Sequence, residues 1–196
     1  MDRGEAAKRD AMTNRDNRFR EVFFDLGTQY YVAGRLAARG MLVPVHGNLF
    51  HHAIEMYLKG ALVGILPIRE MKQKPYSHDL TEIWKRFKAR EADSALARFD
   101  PTVQALHEFE SIRYPDKIVE HGMLTGVVWQ AHHITTTSSS IQLPPKYEIV
   151  IATIDDLVIE VFQRASINPQ FFGKSVQHGP AREALEYQNS HASQWL

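Results

Sequence analysis

His51, His52, Glu55 and Lys59 carry ionisable side chains at helical spacing inside an otherwise apolar stretch. At about 100° per residue, Asn48 joins them in a wedge roughly 100° wide. Leu49, Phe50, Ala53, Ile54, Met56, Tyr57, Leu58, Ala61 and Val63 fill the remaining circumference. A helix so apolar belongs in the middle of a helical assembly, where its charged groups must reach solvent, find partners or line a groove. Glu55 and Lys59 stand i,i+4 in the favourable order, which on an open surface is worth a few tenths of a kcal/mol. The alternative to a solvated stripe is a polar groove in which His51 or His52, Glu55 and Lys59 hold an anionic or nucleotide-like ligand.

Other arrangements of the ten histidines carry less. His52-x-x-Glu55 and His107-x-x-Glu110 lie on two predicted helices, but a carboxylate-bridged di-iron bundle uses Glu-x-x-His and further inward glutamates. The order here is reversed, so neither a metal nor another cofactor is expected. His132-His133 falls in a polar, β-favouring stretch and reads as a solvated loop pair. There is no phosphate-cradling glycine loop, nucleophile elbow or zincin helix.

Composition narrows the class further. The 196 residues suffice for one cored domain, and 44% hydrophobic with 23% charged residues is ordinary for a globular chain. No cysteine is present, which excludes disulfides, thiolate metal sites and a cysteine nucleophile. No apolar run approaches the ~20 residues of a membrane span, and the mixed-charge start lacks a secretory h-region. A cytoplasmic location without a membrane is therefore expected. Net charge is zero but uneven: Arg69 to Arg90 holds seven basic residues against three acids, whereas Glu91 to Glu160 holds eleven acids against four basic residues. That asymmetry suits an anionic ligand on one surface and a basic partner on another.

The elements that must position these residues follow from periodicity. Residues 1–17 read as a flexible arm. From Arg18, the spacing of Phe19, Val22, Phe23, Leu26, Tyr30, Ala33 and Ala37 predicts a helix ended by Gly40. Pro44 opens the striped helix, which runs to about Ile65. Ser77 or Asp79 caps a third helix with Leu80, Ile83, Trp84 and Phe87 inside. Pro101 starts a fourth, which reaches Tyr114 and is stopped by Pro115. Lys117 to Gln142 and Lys146 to Ile151 favour extended structure and predict a small β-hairpin or excursion, an insertion at 117–152. Thr153 caps a last long helix, Ile154 to Ala165. Residues 167–196 form a polar extension with a short helix after Gly179-Pro180. The expected fold is mainly α: an antiparallel bundle of about five helices over 18–166, with a β-rich insertion before the last long helix.

Three pieces, His52-Ala53-Ile54-Glu55-Met56-Tyr57-Leu58-Lys59-Gly60-Ala61-Leu62, Ser77-His78-Asp79-Leu80 and Arg113-Tyr114-Pro115-Asp116, occur in that order. Together they resemble the HEPN domains, helical bundles found mostly in prokaryotes. In that family a second helix bears a Glu–Lys pair, His-Asp-Leu opens the next helix, and Arg-Tyr-Pro often closes a later one. The resemblance covers about Arg18 to Asp116, with Ile154 to Ala165 as a closing helix. It implies dealings with nucleotides or RNA, homodimers, and in some members a nucleotidyltransferase partner. Active members are metal-independent ribonucleases of toxin or defence type, with an Arg, four to six residues, then a His on a late helix. Such a pair suits proton transfer and phosphate charge.

Here seven residues separate Arg113 from His121, with Pro115 between them, and the six-residue interval from Arg39 to His46 contains Gly40 and Pro44. The resemblance therefore implies a non-catalytic binder of a nucleotide, RNA or a protein partner, with His52, Glu55, Lys59, His78 and Arg113 as its polar surface. In that reading Lys59 and Arg113 meet negative charge. The alternatives are a ribonuclease using His78, Arg113 and His121, and a purely structural dimerisation module.

Overall fold

The computed structural model describes residues 13–130, 144–176 and 178–196. Its first helix, α1 (Asn14–Arg39), starts four residues before Arg18 because Thr13 caps it. The Thr13 hydroxyl accepts from the Asp16 amide at 3.1 Å, and the Asp16 carboxylate accepts from the Thr13 amide at 3.3 Å. That reciprocal pair satisfies two of the donors a helix start leaves open. Gly40 closes α1 with an ordinary φ, and the left-handed step falls on Met41, φ 53°.

Helix α2 (Val45–Leu62) is the striped helix. It packs along α1 and also touches the helices Leu80–Glu91, Asp100–Glu110 and Ile151–Arg164. Close approach of α1 and α2 depends on absent side chains: a Cβ on Gly27 would stand 2.7 Å from the Tyr57 ring, and one on Gly60 2.7 Å from the Phe24 ring. Phe24, Phe50, Ala53, Ile54, Tyr57, Leu58 and Leu62 are all fully buried.

A single turn, α3 (Ile68–Met71), precedes α4 (Leu80–Glu91). Of the two candidate caps it is Asp79 that serves, accepting from the amides of Thr81 and Glu82 at 3.1 Å. A 3₁₀ turn, Ser94–Phe99, leads into α5 (Asp100–Glu110), with Pro101 in its first turn. Asp100 ties α5 to α4 by accepting from Trp84 Nε1 and from Lys88 Nζ, both at 2.6 Å.

The next stretch differs from the sequence expectation. Asp116–His121 forms a short helix, α6, where extended structure was expected, because Pro115 suits a helix start as well as a helix stop. Strands β1 (Leu124–Val128) and β2 (Lys146–Val150) pair in parallel, Leu124 opposite Lys146 and Val128 opposite Val150, so they are not a hairpin. Parallel strands need the chain to return to the starting end, and residues 129–145 are long enough to do so. β2 lies on α5, with the Tyr147 and Phe109 rings 5.8 Å apart.

Helix α7 (Ile151–Arg164) follows β2 without a break. Thr153 is not its cap; it sits in the first turn and donates to the Val150 carbonyl at 2.9 Å. The end of the chain packs on the core, with α8 (Gln170–Gly173), α9 (Gly179–Glu186) and a fully buried Trp195 whose ring lies 5.5 Å from Tyr31 and 5.2 Å from Phe162. The protein is mainly helical with a small two-stranded parallel sheet. No helix among the described residues is long and apolar enough to cross a membrane. His132 and His133 lie outside the described residues.

Candidate functional site

The ionisable stripe of α2 is far drier than a solvated face. His51 is 0% exposed, Glu55 1% and Lys59 6%, while His52 is half-buried. Such groups are tolerated inside only with partners. Lys59 Nζ donates to Glu55 Oε1 at 2.5 Å and to the Ser77 carbonyl at 2.8 Å. Its charge is therefore spent on the carboxylate and on the loop before α4. The i,i+4 pair that would be a minor surface feature is instead a buried strut between two elements.

The second oxygen of Glu55 faces three imidazoles. His51 Nε2 is 3.7 Å from Glu55 Oε2, His52 Nδ1 is 3.6 Å away, and His78 Nδ1 is 3.6 Å away. None of these is a hydrogen-bond distance, and Oε2 and His51 Nε2 are both buried without a hydrogen-bond partner. Burial alone would raise the Glu55 carboxyl. The adjoining His52, and then the Lys59 ammonium, override it and hold its pKa at about 2. Burial lowers the His51 pKa, against the pull of the Leu106 carbonyl beside Nδ1 at 3.1 Å and of Glu55. The stripe thus presents a firmly ionised carboxylate beside an imidazole that favours neutrality.

Towards solvent the stripe opens into a groove of about 300 Å³. Phe23, Met56, Ile68 and Met71 supply its apolar lining, and Glu55, Lys59, Lys72, Ser77 and His78 its polar one. Lys72 is exposed, as are Arg69 and Lys74 in the same basic segment. A small apolar trough with a few converging polar groups at one end is the usual form of a small-ligand site. Further grooves flank α1, one lined by Arg15, Arg18, Phe19 and Val22, and others that include Phe171 and Phe172.

Of the residues expected to form the polar surface, the fold brings His52, Glu55, Lys59 and His78 together. Arg113 stands elsewhere, paired with Glu110 at 3.0 Å and set over the Tyr114 ring. His121, at the end of α6, pairs with Glu120 at 3.7 Å. Among the described residues no hydrogen bond or ion pair joins any two of His78, Arg113 and His121. His51 belongs with the group as fully as His52; its position one turn before Glu55 on the same wedge is the signal for it. Phe23 and Lys72 come from other segments, and spacing along α2 carries no trace of them.

A second buried ionic cluster is structural in character. Arg35 pairs with Asp155 of α7, which also accepts from the Tyr31 hydroxyl at 2.6 Å. The same guanidinium donates to the carbonyls of Ala184, at 2.7 Å, and Tyr187, fastening the end of the chain to α1. Each of the three guanidinium nitrogens donates to one of these oxygens, so the group has little left for a ligand. Compared with protein-family models, curated proteins and solved structures, the chain matches none of them.

Proposed function

We propose that the chain is a HEPN-like, non-catalytic antiparallel helical bundle whose α2 groove binds a phosphate-bearing ligand, a nucleotide or an RNA end. One observation carries this reading. Two motifs of the resemblance, His52 to Leu62 and Ser77 to Leu80, are separated in sequence yet meet at one groove, through Lys59 on the Ser77 carbonyl and Glu55 beside His78. A base would lie against Phe23, Met56, Ile68 and Met71, with phosphate towards Lys72 and His78. Lys59 acts as the strut that shapes the site, because its ammonium is already engaged. A cytoplasmic setting accords with the cysteine-free composition. A second copy of the chain or a nucleotidyltransferase is the partner the resemblance implies. Val22, Leu26 and Tyr30, exposed along one side of α1, offer an apolar ridge for self-association.

Calorimetric titration of ATP and of a short RNA, in chelator, tests the reading. Wild type should bind at least one of them. Lys72→Glu and His78→Ala, both at exposed positions, should each weaken binding about tenfold, the scale of one charge-assisted hydrogen bond. Binding that ignores both substitutions would place the ligand elsewhere.

A further inference from the structure

We propose that His51, His52, Glu55 and His78 form a binding site for a divalent transition-metal ion of the zinc class. The inference stands on the geometry of the cluster and needs no nucleotide. His51, His52 and Glu55 each offer one ligand atom, and these three atoms all lie within 4.8 Å of one another. His78 Nδ1 is 3.6 Å from Glu55 Oε2, the same spacing as His52, and its exposed side chain stands beside this set of three, where a turn of the ring would supply a fourth donor. Tetrahedral zinc with bonds of about 2.0–2.1 Å sets neighbouring donors about 3.3 Å apart. The distances from Oε2 to the three nitrogens, 3.6–3.7 Å, need to contract by only a few tenths of an ångström.

Two further features point to an ion. His51 Nε2 and Glu55 Oε2 are buried polar atoms with no hydrogen-bond partner, on side chains 0% and 2% exposed. An orphaned donor or acceptor so deep carries a desolvation penalty that an ion between the two would remove. The second feature is the tautomer. His51 Nδ1 lies 3.1 Å from the Leu106 carbonyl, which can only accept. Nδ1 therefore carries the proton, and Nε2 turns its lone pair towards Glu55. A backbone carbonyl behind the ring is how ligating histidines are commonly oriented.

Lys59 holds Oε1 at 2.5 Å, which leaves Oε2 as a single-oxygen donor. The Lys59 charge opposes a dication, so the coordination bonds to three imidazoles must outweigh it. Three nitrogens and one carboxylate oxygen favour zinc and its neighbours over magnesium or calcium, which take oxygen. The reversed His-x-x-Glu order argues against a carboxylate-bridged di-iron centre, and the set of residues here is a different one. His78 comes from the loop that Lys59 anchors, and only the fold places it opposite α2.

The test uses the untagged full chain, stripped with chelator and then dialysed. Cobalt(II) should bind at one equivalent with the intense visible bands of tetrahedral coordination, and zinc should displace it. His52→Ala and His78→Ala, neither fully buried, should stay folded by circular dichroism and each weaken zinc at least tenfold. His121→Ala should leave it unchanged. Absence of saturable binding at one equivalent, or binding indifferent to both His52→Ala and His78→Ala, would overturn the proposal. Because the ATP titration is run in chelator, either proposal can fail without the other.

Discussion

Asp155→Ala is expected to destabilise the fold by about 3–5 kcal/mol, the usual consequence of stranding one member of a buried ion pair. Arg35 is 0% exposed and would keep its charge, with no route to water from between α1 and α7. The Tyr31 hydroxyl would lose its acceptor as well. Asp155→Asn should lose less, since an amide oxygen still accepts from Tyr31. Replacing both partners, as Arg35→Met with Asp155→Leu, should recover part of the loss, because no charge is then left unpaired. That double variant still frees the Ala184 and Tyr187 carbonyls, so amide exchange should quicken in α9 and after it. Urea unfolding of the three variants checks the order. Equal stability of Asp155→Ala and wild type would mean that Arg35 reaches solvent.

The second large effect is an acid-dependent one at Glu55. Its folded pKa, about 2, lies below its ordinary value of 4.5, because His52 and Lys59 outweigh burial. A depressed carboxylate stabilises the folded state fully above about pH 4.5 and loses that contribution as pH falls towards about 2. The displacement corresponds to about 3 kcal/mol for this mostly buried group. In chelator, Glu55→Gln should therefore be about 3 kcal/mol less stable than wild type at pH 6. The gap should shrink as pH falls from about 4.5 towards 2, as the Glu55 carboxylate takes up its proton. A gap that stays constant across that range would remove Glu55 from the charged centre of the site.

Much of this arrangement is legible in the sequence, for identifiable reasons. Apolar side chains at 3.6-residue spacing locate α1, α2, α4, α5 and α7, because a helix buries one face whatever its neighbours are. The nearly complete apolar girth of α2 correctly marks it as central. Asp79 announces the start of α4 through its own capping chemistry. Periodicity falls silent where a partner matters. Nothing in Leu124–Val128 or Lys146–Val150 distinguishes parallel from antiparallel pairing, and the two strands pair in parallel. The polar residues of 167–196 conceal Leu185 and Trp195, which are buried beside a segment that Arg35 fastens through the Ala184 and Tyr187 carbonyls.

The site divides in the same way. His52, Glu55 and Lys59 share a wedge by arithmetic, and His78 joins them because Lys59 holds the Ser77 carbonyl. The wedge itself reads as a wet seam in the sequence. It is dry because the loop before α4, with Ser77 and His78, reaches it on one side, and the Leu106 carbonyl of α5 meets His51 on the other. Arg113 reads as part of the same surface from motif order alone, but the turn after α5 directs it to Glu110 and Tyr114.

Histidine imidazole resonances, followed by NMR during an ATP titration of the chelator-treated protein, address the central claim most directly. If the α2 stripe and the Ser77–Asp79 loop together form the binding groove, the signals of His52 and His78 should move with a common saturation curve. Those of His121 and His191, on other surfaces, should stay still. Shifts confined to His121 or His191, with His52 and His78 unmoved at saturating ligand, would contradict the account.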